Sequence, residues 1–392
     1  MEPRRVAITG VGVVGPCGIG RDDFFAGLLG PAPNGPRNVA EFDLGPYFDS
    51  PKESRRLDRF THFATVATHE ALEQSGSLDG YDPERVGVII GTGVGGLHSI
   101  ESQVQVLLEK GPRRVSPFLV PMMMANAASA HVSMKYGYQG PCETTVTACA
   151  ASNQSIGNAL NMIRWNRCDA MITGGSEAPL TATGQQGFIN MTAISSAGIS
   201  RPFDAERDGF VQAEGAGTLV LEEMESAKAR GATILAELAG YATTADANHI
   251  TAPSPGGRGA IRCMEMAVAD AGLEAADVIH INAHGTSTPL NDAAEATAIN
   301  HVFGEPGPLV TSTKGITGHA LGAAGALEAA AVVLAMQHSK IPPTASFATP
   351  DPELPPINIV RDAPAEWTAG PSLSNSFGFG GHNATLVFKP AP

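Results

Sequence analysis

The sequence has 392 residues, of which 43% are hydrophobic and 16% charged, and a formal net charge of -14. This balance is typical of a folded, water-soluble protein and excludes a chain dominated by disordered or low-complexity sequence. The negative charge argues against a nucleic-acid-binding protein, because a surface that follows phosphates needs clustered lysine and arginine.

The sequence contains no pattern typical of a secreted, membrane-spanning or zinc-binding protein. MEPRRVAITG lacks the apolar run and cleavage site of a signal peptide, so we expect a cytoplasmic protein with no membrane partner. The most apolar stretch, 320–336, is short for a membrane span and carries Glu328, which predicts a buried core helix. The five cysteines form no CxxC pair or metal-ligand spacing, which predicts neither a bound metal nor a disulfide framework.

The first predicted strand, in RRVAITGVGVVGPCGIG, contains the spacing Gly10-x-Gly12-x-x-Gly15. In a dinucleotide-binding fold this spacing precedes a helix and a second strand that ends in an acidic residue. Here a predicted helix at 22–29 leads into the loop GPAPNGPRN and then into polar sequence. A nicotinamide or flavin oxidoreductase is therefore a weak alternative, and the glycines need another explanation.

Further along the chain, short apolar runs alternate with helical patterns. Helices are predicted at 61–74, 100–109 and 259–271, and strands at VGVIIGTG, TTVTA, AMITGG, GTLVLEE, ILAELAGYATT, VIHINAHG, SLSNSFGFGG and ATLVFK. The alternation predicts an α/β protein with largely buried strands. Because no linker or shift in composition separates the two parts, we predict one body of two pseudo-duplicated halves, 1–235 and 236–392.

One cysteine occupies a position that suits a nucleophile. Cys149 follows the run TTVTA and precedes a predicted helix whose apolar residues recur at helical spacing. A helix dipole and unpaired backbone N–H groups aimed at the sulfur would both lower the thiol pKa. The alternative is a small buried cysteine, and position alone does not decide between them.

Two histidines strengthen the chemical interpretation of Cys149. His284 lies in INAHGTSTPLND, just after an apolar strand, and His319 lies in STKGITGHALGAAGALE, just before the apolar helix. A histidine at the end of a rigid element is held in place, as a catalytic base or donor must be. The three residues together predict a nucleophile with its proton and charge donors.

Four motifs in this order resemble the elongating β-ketoacyl-[acyl-carrier-protein] synthases of the thiolase superfamily. They are TACAAS around Cys149, NAHGTSTPLND around His284, STKGITGHALGAAGALE around His319, and NSFGFGGHNATLVF. RPFDAERDGFVQAEGAGTLVLEE extends the resemblance, which covers nearly the whole chain. It implies a thiolase-like fold with α-β-α-β-α layers, in which Gly10, Gly12 and Gly15 form a tight strand-to-helix turn.

The resemblance also implies a Cys-His-His condensing enzyme that acts in type II polyketide (polyene-like) or fatty-acid biosynthesis. Cys149 would accept an acyl chain from a carrier-protein phosphopantetheine, with backbone N–H groups of Cys149 and Phe379 as the oxyanion hole. His284 and His319 would stabilise the enolate that decarboxylation of malonyl thioester forms. Lys314 and Glu328 match positions that organise the histidines. No cofactor is expected on the chain itself.

Further positions match family residues that bind substrate or partners. Phe379 would act as a gate in the FGFGG loop, with flanking glycines as hinges. The other matched sets are the pantetheine contacts Thr286 and Thr288, the acyl pocket Val94, Met124, Phe188 and Ile189, and the carrier-docking residues Lys52, Arg55, Arg56, Arg113 and Arg114. We expect a dimer, either with a second copy or with a chain-length-factor-like subunit, and Met124 would reach toward that partner.

The sequence departs from the fatty-acid enzymes at three places. The segment between Asn38 and Lys52 is shorter, Thr192 stands where a basic residue is expected, and His382 replaces the usual threonine after GFGG. These departures favour polyketide or polyene ketosynthases as the nearer resemblance.

Two other members of the same fold remain as alternatives. One is a non-catalytic chain-length factor, against which the presence of Cys149 argues. The other is a non-decarboxylating thiolase, which would carry a second catalytic cysteine in place of one histidine.

Overall fold

The computed structural model describes residues 3–392, and within them the strands form one large mixed sheet and one small two-stranded sheet. The strands are β1 Val6–Gly15, β2 Gly18–Ile19, β3 Val86–Gly91, β4 Cys142–Glu143, β5 Ala170–Glu177, β6 Gly215–Glu223, β7 Ala236–Ala245, β8 His280–Asn282, β9 Leu309–Thr311, β10 Lys340–Ile341, β11 Asn358–Ile359, β12 Ala365–Glu366, β13 Ser372–Gly378 and β14 His382–Pro390.

The α-helices alternate with these strands along the chain. They are α1 Arg21–Leu28, α2 Pro51–Ser54, α3 Arg59–Ser75, α4 Leu97–Lys110, α5 Leu119–Met123, α6 Ala127–Tyr136, α7 Ala151–Arg164, α8 Ala182–Asn190, α9 Met224–Ala229, α10 Arg258–Asp270, α11 Pro289–Phe303, α12 Lys314–Thr317 and α13 Ala324–His338.

The large sheet is built twice over from the same arrangement of strands. One half has the order β4-β3-β5-β6-β1 and the other the order β9-β8-β13-β14-β7, and the halves join where β1 pairs antiparallel with β7. In each half the strand that comes first in the sequence lies at this junction, and the second, third and fourth strands run parallel. The predicted pseudo-duplication is therefore confirmed.

The two halves enclose a central pair of helices. Helix α3 packs on β1 and β6 of the first half, and α10 packs on β7 and β14 of the second. Helices α7 and α13 contact strands from both halves and also contact each other. Since each sheet half must bury both faces, helices cover it on either side and give the expected five layers.

The middle layer explains the composition of α13. Every residue from Ala324 to Met336 is buried, and small side chains let this helix approach both halves of the sheet. Of the described residues, only the window Leu321–His338 is long and apolar enough to cross a membrane, and 89% of it is buried inside the protein. The prediction of a core helix is confirmed, with a 3-10 turn at Leu321–Ala323 before it.

The other predicted helices are present with ends shifted by one to three residues. The predicted strand TTVTA is wrong: the short β4 ends at Glu143, and the next residues form an irregular segment that leads to Cys149. Its β-branched residues suggested a strand, but these residues lead to the turn at Cys149 instead of extending the ladder.

The glycine prediction is also wrong in its detail. Gly10 and Gly12 lie inside β1, and only Gly15 ends it. A Cβ at Gly10 or Gly12 would overlap the backbone of Ala71 or Ala67 on α3. These two glycines therefore let the helix pack directly on the strand, a close approach that any side chain would prevent.

Candidate active site

Cys149 lies at the start of the central helix of the first half. It occupies a 3-10 turn, Ala148–Ala150, that runs directly into α7. Ala148 has a φ of 50°, a left-handed conformation that is uncommon outside glycine, and this turn presents the sulfur to the second half of the fold. The expected position at a helix N-terminus is confirmed.

The thiol pKa differs from the sequence expectation. Burial raises the pKa of Cys149 to about 11, although Lys314 and the backbone N–H groups of Phe379 and Cys149 act in the opposite direction. The helix terminus and N–H groups are present as expected, but the loss of water around the sulfur outweighs them. The resting group is therefore the thiol.

The two histidines reach the sulfur from the second half. His319 Nε2 lies 3.1 Å from Cys149 Sγ, and the reactive nitrogen and sulfur atoms of Cys149, His284 and His319 all lie within 4.8 Å of one another. The imidazole rings of His284 and His319 are nearly perpendicular, with centroids 5.4 Å apart. Two rings thus converge on one small volume beside the sulfur.

A buried ion pair fixes the orientation of His284. Lys314 on α12 pairs with Glu328 on α13, and both side chains are only 1% exposed. The Lys314 ammonium also lies 3.3 Å from His284 Nδ1. Because an ammonium can only donate, Nδ1 must accept and the proton of a neutral His284 must sit on Nε2.

Both imidazoles are neutral in this environment. Burial, with a contribution from Lys314, holds the pKa of His284 and of His319 well below the ordinary value. A neutral imidazole with Nε2–H donates a hydrogen bond without losing its proton, which suits stabilisation of an oxyanion.

The same three donors have the spacing of a metal site. A metal would need the lone pair of an imidazole nitrogen, and Lys314 keeps the proton of His284 on Nε2. The arrangement therefore favours hydrogen-bond donation over metal ligation.

A cavity of about 400 Å³ opens onto the three residues, and Phe379, Thr286 and Thr288 also line it. Thr286 is buried and Thr288 half-buried, with their hydroxyl oxygens 2.8 Å apart. The end of β13 approaches Cys149 so closely that a Cβ at Gly378 would lie 3.1 Å from the Cys149 nitrogen. This close approach brings the Phe379 N–H to the sulfur.

Comparison with known proteins agrees with this geometry. The family descriptions "Beta-ketoacyl synthase, N-terminal domain" and "Beta-ketoacyl synthase, C-terminal domain" match residues 30–227 and 235–348. The chain belongs to the β-ketoacyl synthase family. It is 44% identical to a 3-oxoacyl-[acyl-carrier-protein] synthase 2 from Synechocystis sp. over 99% of both chains.

Solved structures give the same result for the fold. The ishigamide ketosynthase/chain length factor matches with a TM-score of 0.94 and 33% identity over 100% of both chains. A type II PKS acyl-carrier protein in complex with its ketosynthase bound to the hexaketide matches with a TM-score of 0.91 and 32% identity, again over 100% of both chains. The thiolase-like fold and the ketosynthase class expected from the motifs are confirmed, and the non-catalytic alternative is not favoured.

The synthase brings together only part of the predicted acyl pocket. Val94 and Phe188 line the cavity, although Val94 is 44% exposed. Met124 is 44% exposed and Ile189 is 50% exposed, and neither lines this cavity. Ile189 instead borders a smaller neighbouring pocket. Within one chain, the acyl-pocket role of these two residues stays a prediction.

The basic residues lie outside the cavity. Lys52, Arg55, Arg56, Arg113 and Arg114 are all exposed, and none pairs with a carboxylate within residues 3–392. The Arg56 guanidinium stacks 4.3 Å from the ring centroid of Phe118, which brings α2 next to the segment that follows Arg113 and Arg114. We call these five residues the basic patch.

Arg59, which belongs to the first basic cluster in the sequence, has an internal partner. It donates to both carboxylate oxygens of Glu214, at 2.8 and 3.0 Å. Arg59 is therefore half-buried and engaged in an ion pair, unlike the residues of the basic patch.

Sequence reasoning missed two buried carboxylates in this synthase. Glu295 accepts the backbone N–H groups of His284 and Gly285, both at 2.7 Å, and thereby fixes the loop that carries the histidine. Glu177 ends β5 and accepts hydrogen bonds from the loop at Gly93 and Val94. Each of these glutamates stands among small residues, in GGSE and NDAAEA. A carboxylate in such a context can be buried and hydrogen-bonded, and this is the local sign that could have identified them.

Proposed function

We propose that this protein catalyses the decarboxylative condensation of malonyl-[acyl-carrier-protein] with an acyl chain held on Cys149. The single observation that carries this proposal is the convergence of the Cys149 sulfur and two neutral imidazoles in one buried volume. The reaction is common to fatty-acid and type II polyketide synthesis, and relatives of both kinds match the chain.

The first step is transfer of the acyl group. Cys149 Sγ attacks the thioester carbonyl, and the backbone N–H groups of Cys149 and Phe379 stabilise the oxyanion. The carbon–sulfur bond to phosphopantetheine breaks, and the released thiol takes up the proton that Cys149 loses. His319 Nε2 lies 3.1 Å from the sulfur, within hydrogen-bonding distance of it during this transfer.

The second step uses the two histidines. The Nε2–H groups of His284 and His319 bind the malonyl thioester oxygen, so that breaking the bond to the carboxylate leaves CO2 and an enolate whose charge they stabilise. The enolate carbon attacks the acyl thioester on Cys149, and its carbon–sulfur bond breaks as the thiolate leaves. The product is a 3-ketoacyl chain two carbons longer on the carrier. Because the substrates bring their own thioesters, these steps use no bound cofactor.

The cavity supports roles for the remaining site residues. Thr286 and Thr288 lie where their hydroxyl groups can bind the amides of a pantetheine arm. Phe379 is half-buried between Gly378 and Gly380, and Gly380 has a φ of 85° that glycine adopts without strain. We assign Phe379 as the gate and Val94 and Phe188 as the wall of the acyl pocket.

The basic patch is the proposed docking site for the carrier protein. Its exposed, unpaired cations suit a small acidic partner even on a protein of net charge -14, because such attraction is local. We therefore assign carrier docking to Lys52, Arg55, Arg56, Arg113 and Arg114.

A dimer is proposed on the face formed by α4 and α5. Leu108, Val104, Val120 and Met124 are 80%, 48%, 57% and 44% exposed, so this face carries apolar side chains that a partner subunit would cover. Met124 would then reach the partner.

Two further proposals concern the boundary of the halves and the compartment. The boundary at 235/236 is supported by the start of β7 at Ala236 and by the two family matches, of which the first ends at 227 and the second begins at 235. We place the protein in the cytoplasm together with its carrier-protein substrate.

The test is intact-mass spectrometry of the purified protein, with any co-purified subunit, after exposure to an acyl-carrier-protein thioester. An acyl adduct is expected on the natural protein and on Cys142→Ala, a control that removes an exposed thiol, but not on Cys149→Ala. An adduct that persists in Cys149→Ala, or no adduct even with carrier and partner subunit supplied, would refute the proposal.

A further inference from the structure

Glu177 is a fully buried carboxylate that accepts four hydrogen bonds at the junction of the two halves. The Thr92 hydroxyl donates at 2.8 Å and the Val94 N–H at 3.2 Å, and the Gly93 N–H donates as well. The fourth donor is the Gly322 N–H, at 2.9 Å, which belongs to the turn before α13. One side chain from β5 therefore binds a loop of the first half and a turn of the second.

The two segments that Glu177 joins meet at the cavity, and each contributes a residue to its lining. Val94 lines it from the first half, and Leu321, two residues after His319, lines it from the second. Leu321 has a φ of 46°, a left-handed conformation that costs free energy and persists only where neighbouring contacts enforce it. The hydrogen bond from the adjacent Gly322 N–H to Glu177 is such a contact.

The packing around Glu177 leaves little room for adjustment. A Cβ at Gly93 would lie 2.7 Å from a Glu177 oxygen, and a Cβ at Gly322 would lie 2.6 Å from one and would overlap the Gly93 backbone. The loop and the turn are thus in direct backbone contact, with the carboxylate between them. Burial raises the pKa of Glu177 to about 7, while its four donors act in the opposite direction.

We propose that Glu177 is a positioning residue that fixes the separation of Val94 and Leu321 and thereby sets which acyl-chain lengths the cavity accepts. This inference rests on the proposed function, because it concerns the chain that Cys149 would carry. It predicts that weakening the carboxylate contacts changes the length preference of the synthase, beyond any effect on its stability.

Glu177→Gln is the principal variant, because it keeps the shape of the side chain but leaves a single acceptor oxygen for four donors. Thr92→Val is the milder second variant, since it removes one donor at a side chain that is 1% exposed. The matched control is Glu222→Gln. Glu222 is also fully buried and hydrogen-bonded, to Tyr81 and Arg230, but it does not line the cavity.

The measurement is competition between two acyl-carrier thioesters that differ by two carbons, read as the ratio of acyl adducts on Cys149 by intact mass, together with the melting temperature of each variant. The preference ratio is the amount of adduct from the favoured thioester divided by the amount from the other. We expect Glu177→Gln to lower this ratio about tenfold, because one methylene in an apolar pocket contributes at least about that much discrimination. Thr92→Val should lower it less. Glu222→Gln should melt earlier and keep the ratio of the natural protein.

The outcomes separate the two proposals. An unchanged ratio in a folded, acylated Glu177→Gln protein, or an equal change in Glu222→Gln, would overturn the positioning role alone. If Glu177→Gln does not fold, Thr92→Val decides by the same criterion. Failure of the natural protein to acquire any adduct, even with carrier and partner subunit supplied, would overturn the proposed function itself, and this inference with it.

Discussion

Replacing Lys314 by methionine is the sharpest test of how the histidines are prepared for catalysis. The ammonium pairs with Glu328 and holds His284 Nδ1 as an acceptor from 3.3 Å. Lys314→Met therefore removes the group that keeps the His284 proton on Nε2, and it leaves the Glu328 carboxyl buried without its cation.

The structural cost follows from the burial of the pair. Removing one partner of a buried ion pair costs about 3–5 kcal/mol. With an unfolding entropy of about 2.1 cal/mol/K per residue, a 392-residue chain that unfolds as one unit should melt about 4–6 °C lower. Burial already raises the pKa of Glu328 to about 7, so we expect this carboxyl to become protonated in the variant.

The catalytic cost concerns decarboxylation first. Loss of one preorganised oxyanion donor typically lowers a rate about 10²–10³-fold, and Lys314 acts through such a donor. We expect CO2 release from malonyl-carrier thioester to fall about 10²-fold, while acylation of Cys149, which does not use His284, falls less. The assay is CO2 release and intact mass on the same preparation.

The double variant Lys314→Met/Glu328→Leu separates stability from chemistry. Replacing a buried ion pair by apolar side chains is often neutral for stability, so the double variant should recover most of the melting temperature. Its decarboxylation should remain slow. Decarboxylation at the natural rate in a folded Lys314→Met protein, or its recovery in the double variant, would refute the role given to Lys314.

Three further predictions concern the pocket, the nucleophile and the docking site. Val94→Phe should shorten the acyl products, measured by mass spectrometry, and unchanged lengths would contradict its place in the pocket wall. Burial raises the pKa of Cys149 to about 11, so the rate of its alkylation by iodoacetamide should rise about tenfold for each pH unit between pH 7 and 10. A rate that levels off below pH 8 would show that the thiolate forms at lower pH. Arg113→Glu/Arg114→Glu should raise the KM for acyl-carrier protein several-fold at low salt, whereas Arg167→Glu, an exposed cation elsewhere, should not; equal effects would argue against the basic patch.

Several features were predictable because they depend on residues close together in the sequence. Apolar periodicity predicted α3, α10 and α13, and the order of four motifs identified the family before any contact was known. The sequence correctly placed Cys149 at a helix start and the two histidines beside rigid elements. These placements were possible because the residues that begin and end helices and strands are close together in the sequence.

Other features depend on contacts between residues far apart in the chain. Gly10 and Gly12 serve the approach of α3 to β1, which no local spacing reveals. Glu177 and Glu295 accept backbone N–H groups 84 and 11 residues away, so nothing in their local sequence identifies the groups that they bind.

The sequence by itself determined the family, the α/β alternation and the three residues that face one another, because those follow from local pattern and motif order. Only the tertiary structure decided the protonation state of the site. The pKa of Cys149 and those of both histidines depend on how much water the two halves exclude and on the distance to Lys314. Burial and distance arise when the halves close on each other, and they are therefore properties of the fold and not of any segment.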